Sequence, residues 1–355
     1  MKIVMVAGGT GGHIYPAISL AKELQKRGHE IYFIGANDRM EKTAVPEAGF
    51  KFIGLDIKST SGGFKQKLCS LKSMISAYHK CLKILKNNAD LVIGFGNYIS
   101  LPVLKAATHL GIKTMLHEQN SYAGKANLAL EKDAELVVAS YEESLKQFKT
   151  KKIEVLGNPQ SSIASKAVRN PEVIKEFGLD PNKKTVVIFM GSLGSKTVSK
   201  IVGEYIENLD HQNYQLIYAT GRNYYATYKD IKKENVVIRE RIDGLNVMRN
   251  ADLVVSRAGA TTLAEITALG IASILVPSPY VANNHQYYNA MALVNKDAAV
   301  LLEEKDLTAV SLNDKIEELI NDDAHRENLA KNAKSLCNEN VIEDMIDRIE
   351  KIWKQ

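Results

Sequence analysis

The chain has 355 residues, of which 45% are hydrophobic and 25% are charged, and its formal net charge is +5. This length favours two domains with a hydrophobic core each, and the composition excludes a disordered or fibrous protein. The three cysteines, Cys69, Cys81 and Cys337, have neither paired nor metal-ligand spacing, which predicts a reducing cytoplasm and no structural metal.

Strand-length runs of β-branched residues alternate with helical segments along the whole chain. The first run, residues 3–7, leads straight into glycines, which is typical of a buried strand and not of a secretion signal. Further strands are predicted at residues 31–35, 91–93, 113–116, 136–139 and 153–156, and the pattern restarts at 185–190, 215–219, 236–238, 253–256 and 273–276. This alternation predicts an α/β fold in which helices wrap parallel sheets.

The two halves of the chain resemble each other. Each opens with a buried strand that runs into a glycine-rich turn, and each later repeats Asp-Leu-Val, at Asp90 and at Asp252. We therefore predict two Rossmann-like domains facing a cleft that holds the ligand, because such sheets bind ligands beyond the carboxyl ends of their strands. Gly157-Asn158-Pro159 marks the boundary, so the predicted domains are residues 1–159 and 160–337.

Residues 338–355 are predicted to form a terminal helix that docks back on the first domain. Its apolar face consists of Ile342, Met345, Ile346, Ile349 and Trp353.

The first glycine-rich turn, residues 8–12, opens a helix whose predicted apolar face is Ile14, Ala17, Ile18, Ala21 and Leu24. Backbone amides at such a turn, with the helix dipole, suit an anionic group. Ile14 stands where the dinucleotide fingerprint requires a third glycine, which disfavours hydride chemistry. Four glycines in five positions exceed what a turn requires, so we predict ligand contact over a ligand-free turn.

His13 follows the last of these glycines and is predicted to point into the cleft. There it could take a proton from a hydroxyl group or bond a phosphate or sugar oxygen. The alternative is a helix-start histidine that bonds local backbone.

Two turns of the second domain offer similar choices. Residues 191–197 do not form a P-loop, because Ser195 separates Gly194 from Lys196; the Ser192 hydroxyl with nearby amides could bind a diphosphate, or Ser195 could simply cap a helix. Thr262 and Glu265 have the spacing of a capping box, although a carboxylate at Glu265 could also accept both hydroxyls of a ribose.

The polar stretch 284–289 suits the hydroxyls of a neutral sugar, although a polar helix start would look similar. The sequence contains no Asp-x-Asp and no histidine or cysteine pair with ligand spacing, which argues against a protein-held catalytic metal.

No acidic residue occurs between Asp56 and Asp90. This window contains Lys58, Lys65, Lys67, Lys72, Lys80, Lys83 and Lys86, and at helical spacing Leu68, Leu71, Ile75, Tyr78, Leu82 and Leu85. The pattern predicts an amphipathic helix that either contacts an anionic bilayer surface or packs its apolar face on the sheet. Membrane contact would be peripheral, since no apolar stretch approaches the roughly 18 residues of a membrane span. Nucleic acid is disfavoured, because the charge is local and no binding module accompanies it.

Taken together, these segments resemble the MurG family of bacterial glycosyltransferases over nearly the full length. The most specific pieces are residues 9–13, His117-Glu118-Gln119-Asn120 with Gly124 and Asn127, Arg257-x-Gly259-Ala260 with Glu265, and Gln286-Tyr287-x-Asn289. The resemblance implies a GT-B fold and inverting transfer of N-acetylglucosamine from UDP-GlcNAc to undecaprenyl-pyrophosphoryl-MurNAc-pentapeptide, without a cofactor or an obligatory metal. It also implies peripheral attachment to the anionic, cytoplasmic face of the cell membrane.

The resemblance assigns roles to individual residues. The implied donor contacts are Thr10, Gly11, Gly12, Asn120, Ser192, Ile242, Ala260, Thr261, Thr262, Leu263, Ala264, Glu265 and Gln286, with Asn289 completing the substrate-binding set. Glu265 would hold the ribose, Ser192 the diphosphate and Gln286 the sugar. His13, His117, Glu118 and Asn127 would face the acceptor, with His13 as the general base and Glu118 as its rival.

The chain departs from the family pattern at several positions. Gln160-Ser161 replace a common arginine, Met190, Leu193 and Ser199 alter the second glycine-rich loop, Asn97 replaces a glycine and His285 a glutamine. Two other functions therefore stay open: a sugar-nucleotide 2-epimerase, which would need no lipid-facing segment, and a catalytically idle UDP-sugar-binding scaffold, against which the combination of His13, Glu118 and Glu265 argues.

Overall fold

The computed structural model describes residues 1–58, 64–210 and 212–354, and the side chains of residues 64–67 lie outside this description. The predicted roles of Lys65 and Lys67 therefore fall outside it. The chain divides into two units, Met1–Ser162 with Asn340–Gln355, and Ile163–Glu339.

Each unit is built on a parallel sheet. In the first unit the strands of the described residues are β1 (Lys2–Val6), β2 (Glu30–Ala36), β3 (Lys51–Leu55), β4 (Leu91–Gly94), β5 (Lys113–Glu118), β6 (Leu136–Ala139) and β7 (Ile153–Val155). In the second they are β8 (Thr185–Phe189), β9 (Gln215–Ala219), β10 (Val236–Arg239), β11 (Leu253–Ser256), β12 (Ser273–Leu275) and β13 (Val300–Leu301). Every predicted strand is confirmed to within two residues at each end, whereas β3 and β13 were not predicted.

Helices connect these strands in the order expected of an α/β fold. They are α1 (Gly11–Lys26), α2 (Glu41–Glu47), α3 (Phe64–Leu85), α4 (Ser100–His109), α5 (Lys125–Leu130), α6 (Glu142–Leu145), α7 (Pro159–Ala164), α8 (Glu172–Lys175), α9 (Lys196–Glu207), α10 (Tyr225–Tyr228), α11 (Gly244–Arg249), α12 (Ala260–Leu269), α13 (His285–Val294), α14 (Ala309–Asn321), α15 (Asp323–Ser335) and α16 (Val341–Lys354). A short 3-10 turn, Ala282–Asn284, precedes α13.

The strand orders are β3-β2-β1-β4-β5-β6-β7 and β10-β9-β8-β11-β12-β13, and every pairing is parallel. In the centre of the first sheet Val4 pairs with Tyr32 on one side and with Val92 on the other. Val4 and Val92 are fully buried because helices cover both faces of the sheet, which is why these strands are continuous apolar runs in the sequence.

Helix α1 packs on this sheet as predicted. Its five predicted apolar residues are all buried, and Ile18, the most exposed of them, is only 7% exposed. They join one core cluster with residues of β1, β2 and β4.

The terminal helix α16 completes the same core. Its buried residues are Val341, Ile342, Met345, Ile346, Ile349 and Ile352. The prediction for Trp353 was wrong: its side chain is 46% exposed. Ile352, one turn beyond Ile349, fills the last core position, and its carbonyl accepts a hydrogen bond from Lys113 Nζ at 2.6 Å.

Candidate functional site

The two glycine-rich turns and the turn before α12 follow strands that flank the point in each sheet where the strand order reverses. In the first sheet this point is between β1 and β4, and in the second it is between β8 and β11. The loops that leave neighbouring strands in opposite directions there open a crevice at the carboxyl edge, which is the usual ligand site of open α/β sheets. Each unit therefore carries its own candidate site.

In the first unit, a buried carboxylate and an asparagine hold the glycine-rich turn. The fully buried Glu41 accepts hydrogen bonds from the amides of Gly9, at 3.0 Å, and Ala36, at 2.9 Å. Asn97 donates from Nδ2 to the Gly8 carbonyl at 2.9 Å. A Cβ on Gly8 would lie 2.3 Å from Glu41 Oε1, and one on Gly9 would lie 2.3 Å from Asn97 Nδ2.

These contacts correct the interpretation of the glycine count. Gly8 and Gly9 lack side chains because Glu41 and Asn97 fill that space, and Gly9 also has a positive φ of 91°. A Cβ on Gly11 would lie 2.8 Å from the Tyr15 ring. Packing therefore accounts for three of the four glycines, so their number is not by itself an argument for a ligand.

His13 lies in the first turn of α1, next to the turn that follows β4. Its Nδ1 is 3.0 Å from the Thr10 hydroxyl. His13 Cδ2 and Asn127 Nδ2 both lie within 3.5 Å of the point where a Cβ on Gly96 would stand. Gly96, with φ of 81°, thus leaves room for both groups, and the structure brings His13 and Asn127 together at the crevice.

Behind them, Glu118 at the end of β5 accepts four hydrogen bonds. Its Oε1 accepts from the Asn120 amide at 3.0 Å and from Asn120 Nδ2 at 3.3 Å. Its Oε2 accepts from the Gly124 amide and from Asn127 Nδ2, both at 2.8 Å. Asn127 Nδ2 also donates to the His117 carbonyl at 3.1 Å. The carboxylate, only 1% exposed, therefore ties the whole loop after β5 into one network.

Burial perturbs both titratable groups of this segment. It raises the pKa of the Glu118 carboxyl, and the hydrogen bonds from Gly124, Asn120 and Asn127 act against that rise. It lowers the pKa of His117 to about 4, because the ring is fully enclosed, and the hydrogen bond between its Nε2 and the Gly157 carbonyl, at 3.0 Å, acts against that fall. His117 is therefore neutral at pH 7 and fixed in one orientation.

The N-terminal half of α3 presents an apolar surface, formed by Leu68, Leu71 and Ile75, whose exposed fractions are 49%, 54% and 52%. The rest of the helix packs inward: Leu85 is fully buried, and Tyr78 and Leu82 pack on the core with it. The predicted apolar face therefore divides into a packed half and an exposed half. Among the residues that the structure describes, no helix is long and apolar enough to cross a membrane.

In the second unit, the loop after β8 is packed tightly against the loop after β9. A Cβ on Gly194 would lie 2.2 Å from the Thr220 carbonyl oxygen, and one on Gly221 would lie 2.3 Å from the Gly194 amide. Ser192 and Leu193 are exposed on this loop, Leu193 by 58%. The loop backbone is thus fixed while the Ser192 side chain faces outward.

The capping role considered for Ser195 was wrong. Ser195 is the N-cap residue of α9 but makes no side-chain cap. Its hydroxyl oxygen instead accepts a hydrogen bond from Arg257 Nη2 at 2.8 Å. Arg257 also pairs with Glu304, at 2.6 Å, and donates from Nη1 to the Val276 carbonyl at 3.1 Å.

The capping box considered for Thr262 and Glu265 was also wrong. Helix α12 begins at Ala260 and its N-cap is Gly259, so Thr262 already lies inside the helix. Gly259 has no side chain to cap the first-turn amides. Ala260, Leu263 and Ala264 are buried, whereas Thr261, Thr262 and Glu265 are partly exposed.

The remaining predicted residues lie around this helix start. Gln286 accepts a hydrogen bond through Oε1 from the Ser278 amide at 2.8 Å, so its Nε2 is the side that could donate to a ligand. Asn289 is fully buried and donates to the Ala258 carbonyl at 3.2 Å, which positions the β11–α12 turn. Ile242, in the loop after β10, is partly buried against a small core cluster.

Sequence reasoning missed Glu41 and Glu304, the two buried carboxylates that hold these turns. For Glu41 the sequence offered one indication, the glycines at positions 8 and 35, because a Cβ on Gly8 or Gly35 would clash with the Glu41 side chain. For Glu304 no spacing in the sequence relates it to Arg257.

Comparison with known proteins agrees with this geometry. Residues 3–138 match the N-terminal domain of glycosyltransferase family 28, and residues 185–349 match its C-terminal domain. The UDP-N-acetylglucosamine--N-acetylmuramyl-(pentapeptide) pyrophosphoryl-undecaprenol N-acetylglucosamine transferase of Flavobacterium psychrophilum is 40% identical, over 99% of this chain and 97% of its own length. The crystal structure of Acinetobacter baumannii MurG is 25% identical with a TM-score of 0.79, covering 98% of this chain and 99% of that one. A UDP-GlcNAc 2-epimerase from Neisseria meningitidis, 15% identical with a TM-score of 0.69 over 99% of this chain and 100% of its own, shares the fold alone. The resemblance inferred from the motifs is confirmed, and the chain belongs to the MurG family within glycosyltransferase family 28.

Proposed function

We propose that this chain transfers N-acetylglucosamine from UDP-GlcNAc to the 4-hydroxyl of lipid-linked MurNAc-pentapeptide, with inversion at the anomeric carbon. The observation that carries the proposal is the 40% identity, over nearly the full length of both chains, to a transferase named for this reaction. The two built crevices support it, because a transferase needs one site for the donor and one for the acceptor.

We assign the role of general base to His13. Direct displacement requires a group that accepts the proton of the attacking hydroxyl. When Nδ1–H donates to the Thr10 hydroxyl oxygen, at 3.0 Å, the lone pair of the ring is on Nε2. Thr10 would thus hold the ring in an orientation in which, for this tautomer, Nε2 can take the proton.

Glu118, the rival base, suits a positioning role better. Its oxygens already accept four hydrogen bonds, and 1% exposure leaves no approach for a substrate hydroxyl. Its contribution would be to orient Asn127, which stands beside His13.

The second unit would bind the donor. The amides at the start of α12, which has glycine as its N-cap, would face the negative charge of the diphosphate together with Ser192. Glu265 would accept the ribose hydroxyls, and Gln286 Nε2 would donate to the sugar. The amides at the start of α12 would also stabilise the departing UDP, on which negative charge develops as its bond to the sugar breaks.

The exposed surface of α3 would attach the enzyme to the cytoplasmic face of the membrane. Leu68, Leu71 and Ile75 provide apolar area, and Lys72 and Lys83 lie exposed on the same helix. We expect co-sedimentation with phosphatidylglycerol vesicles but little with phosphatidylcholine vesicles. Leu71→Glu should abolish it, while Leu336→Glu, at an exposed leucine of the second unit, should not. Equal binding of all three proteins would contradict this attachment.

The transfer itself is tested by UDP release from purified protein supplied with UDP-GlcNAc, with and without a short-chain lipid-linked acceptor. Release that requires the acceptor supports the transferase. An epimerase would interconvert the donor without the acceptor, and a scaffold would bind UDP-GlcNAc without releasing UDP in either mixture.

A further inference from the structure

The second unit contains a cavity of about 490 Å³ beyond the carboxyl ends of its central strands. Its lining is mostly polar and comes from the loops after β8, β11 and β12 and from the first turns of α9 and α13, and it includes Ser195, Arg257, Ser278 and Gln286. Of the predicted donor contacts, Gln286 lines this cavity. Ser195 and Arg257 are among the other polar residues that line it.

The charge of Arg257 is already committed within the protein. Its Nη2 pairs with Glu304 at 2.6 Å, and the two side chains are only 11% and 5% exposed. The same Nη2 donates to Ser195 Oγ at 2.8 Å, and Nη1 donates to the Val276 carbonyl at 3.1 Å. A guanidinium that contacts three protein groups, one of them a buried carboxylate, is fixed in place and is not a mobile side chain that reaches out to bind a ligand.

This scaffold determines which way the Ser195 hydroxyl can act. A serine at the N-cap position normally accepts a hydrogen bond from an amide of the first helical turn. Here the oxygen accepts from Arg257, and it caps nothing. Within the described part of the chain this is the hydrogen bond that the hydroxyl makes, so its own proton is the donor that remains, and Ser195 lines the cavity.

We propose that Ser195 donates a hydrogen bond to a phosphate oxygen of the bound nucleoside diphosphate, and that Arg257, held by Glu304, is the positioning residue that turns the hydroxyl toward it. This inference rests on the proposed function, since it names a further contact in the donor site. It also concerns the altered loop, in which Leu193 exposes an apolar side chain and Ser195, two residues later, supplies a polar group.

The test is calorimetric titration of the full chain with UDP and, separately, with uridine. A hydrogen bond to a charged phosphate is worth enough for Ser195→Ala to weaken UDP binding about tenfold. Uridine binding should not change, because uridine has no phosphate. Ser335→Ala, which removes an exposed hydroxyl on α15, is the matched control and should bind UDP like the wild type.

Arg257→Lys tests the positioning step. Lysine keeps the positive charge, but one ammonium cannot serve Ser195, Glu304 and the Val276 carbonyl with the geometry of a guanidinium. We expect this variant to lose about as much UDP affinity as Ser195→Ala, and the double variant to be no weaker than either single one, because both act through one hydroxyl. Thermal unfolding of each variant establishes that it is folded.

The outcomes separate the inference from the proposed function. Wild-type UDP affinity in Ser195→Ala overturns the contact, and losses that add in the double variant overturn the positioning by Arg257. If the wild type binds UDP no better than uridine, the diphosphate site itself is absent, and both the donor assignment and the inference fall.

Discussion

Replacing Glu118 with glutamine should test whether this carboxylate is a scaffold or a base. All four of its partners are donors, so one half of the new carboxamide must turn its NH₂ toward donors. Keeping the two 2.8 Å bonds breaks both bonds from Asn120, at a cost of about 2 kcal/mol, and weakens each retained bond by about 1 kcal/mol because the acceptor is no longer charged. The desolvation that raises the pKa of the Glu118 carboxyl is relieved in the variant, and this offsets part of the cost. The net cost is about 3 kcal/mol.

For a unit of this size the melting temperature should fall by about 6–12 °C, measured by circular dichroism or calorimetry. Glu142→Gln, at an exposed carboxylate of α6, is the control and should change it little. A Glu118→Gln protein that melts within about 2 °C of the wild type but has lost turnover would refute the scaffold role, because it would show that the carboxylate reacts without holding the loop.

Three further predictions concern neighbouring features. The pKa of His117 is lowered from 6.5 to about 4, so between these pH values the unfolded chain binds a proton that the folded chain does not, and stability should fall as the pH drops from 6.5 to 4. Glu118, with its raised pKa, acts in the opposite sense, so the test compares urea unfolding of His117→Gln with that of the wild type. An equal dependence of the unfolding free energy on pH in the two proteins would contradict the prediction. Thr10→Val should lower kcat about tenfold because the His13 ring loses the hydrogen bond that orients it, while Thr10→Ser keeps that bond, and unchanged turnover in the valine variant would remove Thr10 from this role. Ile352→Ala should cost about 2–4 kcal/mol of unfolding free energy and Trp353→Ala under about 1 kcal/mol, and the reverse order in urea titrations would show that the tryptophan packs after all.

The central strands, which are covered on both faces, were all predicted from the sequence pattern. Residues 91–94 of β4 are fully or almost fully buried and read as an apolar run in the sequence. The strands that were missed are sheet edges: β3 pairs with β2 alone and is mostly half-buried, and β13 has two residues. An edge strand buries less side-chain area and so leaves a weaker apolar signal, although the other two edge strands, β7 and β10, were predicted.

The positions of His13, Glu118 and Ser192 near the carboxyl ends of strands could be predicted from the sequence, whereas their roles stay predictions. Long-range contacts were not predictable. Glu41 opens α2 as acidic residues often open helices, yet its partner Gly9 is 32 residues away. Likewise, the spacing of Thr262 and Glu265 predicts a capping box, but only the observed start of α12 at Ala260 decides against it.

The place of α16 in the chain bears on how the protein is made. Six of its side chains belong to the core of the first unit, although the whole second unit is translated before it. Residues 1–162 therefore emerge from the ribosome with one side of their hydrophobic core uncovered. The second unit can fold before the first is complete. During that interval the uncovered apolar surface of the first unit would be prone to aggregation, and a premature stop before residue 341 would leave it uncovered permanently.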